Sequence, residues 1–432
     1  GIVLAPFIIL FCFSGIVLNH AGLLADVNIS RKLLPAEYRY DRWNKGLLRG
    51  TMKWNCKTLI YGNSGIWLKE ESNGTIRDFN RGLPNGADHR SIRGVVSMPN
   101  GFLYAISQYN LYCLNECGAW MRIDLPNDEH ERLSDITQKN DSLIITGRSH
   151  IYLSHVPYHT FQKITLKKGG NDKGKVSLFR TTWLLHGGGL FGIVGKLFVD
   201  LVGLILLFLS ISGIYYSFAP RPHSSFGARI KSWLIKWHNQ IGWASIFFLL
   251  LLTITGWMLR PPALIAIASA KIPPIPFSAM DSDNPWNDCL RSLRYDDDKE
   301  DWLLCTSDGF YSLRHLSDTP QKEQVQPPVS VMGINVEQKD SRHKWLIGSF
   351  SGLYVWDRPH EEVTDYFTHH APQPTSEMPI SSHPISGFSS DIEDAELVVD
   401  YNKGCPRLSM PNIMATLPMS LRNVCIEVHT GR

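Results

Sequence analysis

Three stretches of the 432-residue chain are almost continuously apolar: Ile2–Leu18, Leu197–Phe218 and Ile241–Leu259. About 20 apolar residues in a row span a hydrocarbon core of ~30 Å, so each stretch predicts a membrane helix. The second and third form a hairpin over Leu184–Arg260. Between them stand Arg221, Arg229, Lys231 and Lys236, with no acid. The positive-inside bias then predicts a cytoplasmic hairpin tip. The two long segments, about 20–185 and 262–427, are expected outside the cytoplasm.

Those long segments carry a second pattern. LIYGNSGIWL, LYAISQYNLYCL, LIITGRSHIYL, LLCTSDGFYSL and LIGSFSGLYVW each alternate apolar residues into a turn and out to an aromatic. The turns fall at Gly65, Asn110, His150, Gly309 and Gly352. From Gly65 to Asn110, Asn110 to His150 and Gly309 to Gly352 the steps are 45, 40 and 43 residues. Short strands repeating every ~40–50 residues are what propeller blades show. One propeller assembled from both segments is the expectation. Two unrelated β-sandwich domains are the alternative. Trp67, Tyr112, Tyr152, Tyr311 and Tyr354 are expected in the blade cores.

A duplication runs through the membrane stretches. With Gly1 laid on Gly242, Ser14 falls on Thr255, Gly15 on Gly256 and Leu18 on Leu259. On this reading the chain begins inside its first membrane helix, and a histidine matching His238 lies before Gly1. The terminal CIEVHTGR resembles WLLHGGGLFGIVG, so Val428–Arg432 is expected to open a fourth membrane helix. The expected fold is mixed membrane α + β. Four transmembrane helices in the full-length protein carry a β-propeller-like extracytoplasmic domain split between two loops. The segments are 1–20 (helix 1), 21–183 (β-rich), 184–260 (helices 2 and 3), 261–426 (β-rich) and 427–432 (start of helix 4).

Composition narrows the chemistry. A net charge of +3 without a basic stripe argues against nucleic acid as a partner. Eight cysteines in a chain this long are no disulfide framework. Cys-x-x-Cys-His is absent, so any haem would be held noncovalently. No Gly-x-Gly-x-x-Gly follows a strand, which removes a nicotinamide or flavin domain.

The candidates for chemistry are histidines at helix ends. His186 precedes three glycines, and an imidazole beside bare backbone can ligate iron while a flat macrocycle lies close. The bland alternative is an interfacial histidine at a flexible helix start. His429 repeats the motif and would supply a second ligand. His238, in KWHNQIG, is either an inner ligand or a solvated juxtamembrane histidine. His20 ends the first helix outside the repeated pattern and is a further candidate. Lys196 and Asp200, four apart on one helix face, are expected to pair, or else to serve a haem propionate or a proton path. Ser14-Gly15, Ser212-Gly213 and Thr255-Gly256 are small pairs that allow close approach. His223 is expected in solvent, and His369-His370 form a loop pair that is not expected to bind metal.

The His-Gly openings at His186-Gly187 and His429-Thr430-Gly431, the WHNQIG entry and the Ser/Thr-Gly helix ends resemble the PepSY-associated transmembrane protein family. The resemblance implies a multi-pass protein of the bacterial inner membrane with large periplasmic loops, in contact with membrane lipid. It implies two b-type haems with ligands at His186, His238 and His429. It also implies a ferric reductase activity: a cytoplasmic or quinol donor feeds an inner haem at His238, and an outer haem at His186 and His429 reduces a ferric chelate or siderophore. A non-enzymatic sensor, with the β-rich part binding an extracellular ligand, is the alternative. One distance stands against the outer site. Gly213 lies 27 residues from His186, about 40 Å of unbroken helix, unless the helix bends at its glycines.

Overall fold

The structure is a computed structural model. It describes residues 3–126, 131–169, 174–218, 225–328, 330, 333–372, 383–392 and 395–431. Gly1, Ile2, Arg221, His223 and Arg432 lie outside the described residues. The chain divides into two compact units, one of Gly1–Val27, Gly174–Ser282 and Ser420–Arg432, the other of Asn28–Lys173 and Asp283–Met419.

The first unit is helical. It holds α1 (Ala5–Asn19), α2 (Leu178–His186), α3 (Gly192–Phe218), α4 (Ser225–Met258), α5 (Ala263–Ala268) and α7 (Leu421–Thr430), while α6 (Asn412–Ala415) belongs to the other unit. Gly189–Phe218 and Phe226–Met258 are long and apolar enough to cross a membrane, and Ala5–Asn19 is apolar but shorter. Ile193, Val194, Leu197 and Leu204 on α3, and Trp243, Phe247, Leu250 and Trp257 on α4, are all exposed. A helix apolar on every face and left uncovered is suited to lipid rather than water.

The expected second helix is not continuous. α2 stops at Gly187, a short turn follows, and α3 starts afresh at Gly192. Gly188 and Gly192 take φ of +74° and +63°, and a Cβ on Gly188 would lie 2.3 Å from the Gly195 carbonyl oxygen. Only glycine makes this break without strain. The 40 Å objection to His186 therefore falls away, because His186 is not on the axis of α3. His429 also differs from expectation. It lies in the last turn of α7, not the first turn of a new helix, and Gly431 caps that end in the left-handed conformation.

The duplication reaches the helix starts. Ser177 caps α2 by accepting from the Arg180 N–H at 3.2 Å, and Ser420 caps α7 by accepting from the Asn423 N–H at 3.1 Å. The next N–H in each case reaches past a preceding helix: Leu178 donates to Ala270, and Leu421 to Val27, both at 2.9 Å. Each capping serine stands nine residues before its histidine.

Among the described residues, the second unit is built mainly of six antiparallel sheets, besides the short pairing of Asn28–Ile29 with Met419–Ser420. Five are four-stranded meanders, starting at Gly50–Trp54, Gly94–Ser97, Leu133–Lys139, Leu290–Asp296 and Ile334–Lys339. The sixth pairs Ile385–Ile392 with Ala395–Asp400. Gly65, Asn110, His150, Gly309 and Gly352 all fall at the turn from second to third strand, as the sequence pattern predicts. Gly65 has φ +103°, and a Cβ there would meet the Asn80 Oδ1 that accepts the Ile66 N–H.

Six apolar clusters lie between successive sheets. Leu59, Ile66 and Leu103 join the first sheet to the second, and Ile106, Leu143 and Ile145 join the second to the third. Ile144 and Leu304 bridge the third and fourth, Leu303 and Ile347 the fourth and fifth, Leu346 and Phe388 the fifth and sixth. Ile60 and Trp67 then meet Leu397 and Val399, so the sixth sheet packs on the first and the order of contacts is cyclic. Trp67, Tyr112 and Tyr152 are buried in these interfaces, Tyr311 is partly so, and Tyr354 is buried outside them.

One ionic knot ties the fourth and fifth sheets. The Arg358 side chain has no exposure and donates to Asp296, Asp301 and Glu323 at 2.6–3.0 Å. Lys339 and Trp345 donate to the same Asp296, at 2.7 and 2.9 Å. Burial alone would push the Asp296 carboxyl up, but the hydrogen bonds from Lys339, Trp345 and Arg358 outweigh it and hold it down at about 2. A depressed carboxylate stabilises the fold above its unfolded pKa of ~4, and that contribution is lost as pH falls from ~4 through ~2. Arg358→Met leaves Asp301 and Glu323 without this cation and Asp296 with Lys339 alone. It is expected to cost about 3–5 kcal/mol of β-unit stability in urea unfolding at neutral pH, and less at pH 3.

Candidate functional site

Three histidines of the helical unit share one arrangement. His186 Nδ1 lies 3.1 Å from Thr255 Oγ1 on α4, His238 Nδ1 lies 2.9 Å from Ser212 Oγ on α3, and His429 Nδ1 lies 3.1 Å from Ser14 Oγ on α1. Each hydroxyl is already committed to its own helix. Ser14 donates to the Leu10 carbonyl at 2.8 Å, Ser212 to Phe208 at 2.6 Å and Thr255 to Leu251 at 2.8 Å. A hydroxyl has one proton, so toward the imidazole it can only accept. The proton between them therefore belongs to Nδ1. At His429 the same Nδ1 also faces the Phe11 carbonyl at 3.0 Å, which accepts and never donates. In the neutral form of each ring Nε2 then carries the lone pair, the form in which an imidazole binds metal.

A glycine follows each hydroxyl residue, and each leaves room for a ring. A Cβ on Gly256 would lie 3.0 Å from His186 Cε1, one on Gly15 3.2 Å from His429 Cε1, and one on Gly213 3.7 Å from His238 Cε1. The Ser/Thr-Gly pairs thus give close approach, as expected, and also orient an imidazole, which spacing alone did not reveal. The signal was present: a hydroxyl residue directly before each of these glycines.

The structure brings His186 and His429 together, with ring centroids 6.0 Å apart. Two imidazoles on one metal, with metal–nitrogen bonds of ~2.0 Å, place their ring centres about 6 Å apart. Their helices, Leu178–His186 and Leu421–Thr430, are far apart in the chain. Arg260 donates to the Thr430 carbonyl beside His429. His238 stands apart from this pair. It and Thr255 lie on the same helix 17 residues apart, about 25 Å along the axis. A cavity of about 260 Å³ opens beside His238, lined by Ser212, Tyr215, Tyr216, Lys231 and Asn239.

His20 is engaged otherwise. Its Nε2 lies 2.6 Å from Asp200 Oδ2, and Asn19 donates to Asp200 Oδ1 at 2.9 Å. Asp200 is buried and turned to the end of α1, so the expected Lys196–Asp200 pair does not form. Asp200 is four residues from Lys196 in sequence, but a buried carboxylate takes the partners that reach it across the helix interface. His369 and His370 are exposed in the other unit.

Residues 146–432 match the family model for the PepSY-associated TM region. No curated protein matches the chain. Among solved structures, the chain is similar to the extracellular domain assigned to the hybrid two-component system BT4673 of B. thetaiotaomicron, at 10% identity and TM-score 0.38, covering 85% of this chain and 39% of that one. PorZ, a surface component of the type-IX secretion system of Porphyromonas gingivalis, matches at 12% identity and TM-score 0.36, covering 85% and 37%. The chain thus spans about two-fifths of the length of these structures.

The glycine contact gives a direct test. Gly256→Leu is expected to force the His186 ring off Thr255 and to lower stability by about 1–3 kcal/mol, the usual cost of overpacking. Gly22→Leu, where nothing lies within 4 Å of the added Cβ, serves as the control without loss in the same thermal unfolding measurement.

Proposed function

The chain belongs to the PepSY-associated TM region family, and from that premise we propose that it is a haem-binding electron-transfer protein of the bacterial inner membrane that reduces a ferric chelate outside the cytoplasm. The observation that carries this reading is the pair His186 and His429, two imidazoles 6.0 Å apart with both Nδ1 atoms held by hydroxyls. Two imidazoles are the number of protein ligands a bis-histidine b-type haem takes. His238, oriented by Ser212 in the same way, would hold a second haem nearer the α3–α4 connection. In this reading that connection faces the cytoplasm, both long segments are periplasmic, and four helices span the membrane in the full-length protein. The cyclic order of six sheets supports a six-bladed propeller in the periplasm.

Haem, when bound, supplies reversible one-electron chemistry at iron. The protein's part is orientation and exclusion of water. Thr255 and Ser14 hold Nδ1 as the protonated nitrogen, so Nε2 of His186 and His429 would be the atoms available to hold an iron. An accepting partner behind a ligand raises its basicity and favours the oxidised metal. Val202 and Leu207, apolar and buried on α3, help keep the helix interior dry. The His20–Asp200 pair joins the end of α1 to α3. The substrate is a ferric chelate, for example a ferric siderophore, which gains one electron and becomes ferrous. A cytoplasmic or quinol donor supplies that electron.

The test is a reduced-minus-oxidised spectrum of the purified full-length protein. Two b-type components are expected. His186→Ala should remove one and abolish ferric reduction, while the component at His238 persists. Thr255→Ala should keep the ligand but weaken haem affinity about 10–100-fold. A spectrum without haem bands, or His186→Ala with both components and full reductase activity, would overturn the proposal.

A further inference from the structure

The β unit carries a second feature that the redox reading does not use. At five of the six junctions its sheets meet through their first strands, and one position recurs at the start of each sheet. In the first two sheets it is Arg49 and Arg93, whose N–H groups donate to Tyr61 and Ile106 at 2.8 Å just before the ladder begins. In the next four it is the bulged residue between two paired ones: Ser134, Arg291, Asn335 and Ser386. A bulge re-aims a side chain out of the ladder. The six positions are thus equivalent around the cyclic order, and three of them are arginine.

The side chains converge. Arg49 Nη2 reaches Asn335 Oδ1 at 3.4 Å, although their sheets are separated by the sixth. Asn335 in turn donates to the Ile385 carbonyl at 2.8 Å, and Arg291 to the Asp288 and Leu290 carbonyls at 2.9 and 2.8 Å. Of the acids nearby, Asp135 is gripped by Arg294 through both oxygens and Glu131 by Ser149, His150 and Tyr152. Glu337, by contrast, buried beside Arg294 and Asp135, has neither oxygen hydrogen-bonded among the described residues, and burial pushes its carboxyl up to about 7. Arg93 differs from the rest. Its guanidinium makes no hydrogen bond or ion pair among the described residues, and its Nε and that of Arg49 are buried without a partner. Burial, and then the neighbouring Arg49, Arg148 and Arg132, hold Arg93 down at about 9, so it stays charged at neutral pH. Arg93 is half-buried, with its Nε closed off and its terminal nitrogens accessible, and a partly desolvated cation among like charges is stabilised when something negative joins it.

We infer that this ring is a binding site for a small oxyanion-bearing molecule, its carboxylate or phosphate taken by Arg93 and Arg49. The planar guanidinium fork matches either group. The site lies wholly within the β unit and does not depend on the haem reading.

The experiment uses the full chain in detergent micelles, with citrate and inorganic phosphate as separate probes in calorimetric titration and thermal unfolding. At least one should bind saturably and raise the melting temperature, and the comparison between them tells carboxylate from phosphate. Arg93→Met should weaken that binding about tenfold or more, as expected for loss of a charged hydrogen bond. Without ligand the same variant should melt at a higher temperature than the wild type, because an unpaired, partly desolvated charge among other arginines has been removed. The inference is overturned if neither anion binds saturably, or if Arg93→Met binds as tightly as wild type. It is also overturned if Arg93→Met melts lower or fails to fold, since the guanidinium would then be a structural group.

Discussion

A serine or threonine hydroxyl that donates to its own helix has nothing left to give but a lone pair. That single constraint organises the helical unit. Ser14, Ser212 and Thr255 each point their proton at a carbonyl four residues back, so each can only accept from the imidazole lying against it. Three histidines are thereby held in one tautomer with Nε2 outward. The following glycine in each pair lets the ring come within van der Waals distance of the backbone. Neither residue works alone. A side chain at the glycine would push the ring away, and loss of the hydroxyl would free the ring to turn.

The duplication explains why the arrangement recurs. α2 and α7 start with a capping serine and end with a histidine. Each of these histidines reaches a hydroxyl on a helix from the other half of the repeat, His186 to Thr255 and His429 to Ser14. The exchange brings His186, from the middle of the chain, and His429, 243 residues further on, to 6.0 Å. It also separates this pair from His238, which uses the other end of α4. One helix thus carries two histidine sites about 25 Å apart, close to the depth of a hydrocarbon core.

Much of this was legible in the sequence, and the exceptions have physical causes. The apolar runs mark α3 and α4, and the offset that lays Ser14 on Thr255 marks the repeat. The strand turns show through Gly65, Gly309 and Gly352 because a positive φ there demands glycine. The sixth sheet was missed. Its first strand, ISGFSSDI, is rich in serine and interrupted by bulges, so it lacks the alternation that marks the other five. The break between α2 and α3 was visible as three glycines, but periodicity cannot tell a flexible helix start from a sharp turn. Asp200 was placed with Lys196 because local spacing shows only partners on the same helix. Its actual partners, Asn19 and His20, are 180 residues or so away in sequence.

The tautomer of the three histidines tests the account most directly. Solid-state nitrogen NMR on the histidine-labelled full-length protein in lipid bilayers, without added haem, distinguishes a protonated from an unprotonated ring nitrogen. The account predicts that His186, His238 and His429 are neutral, with the proton on Nδ1 hydrogen-bonded to a hydroxyl and Nε2 bare. Removing Ser14, Ser212 or Thr255 should disturb only the ring that each one faces. Protons found on Nε2 in these rings, or a tautomer indifferent to the hydroxyls, would contradict it.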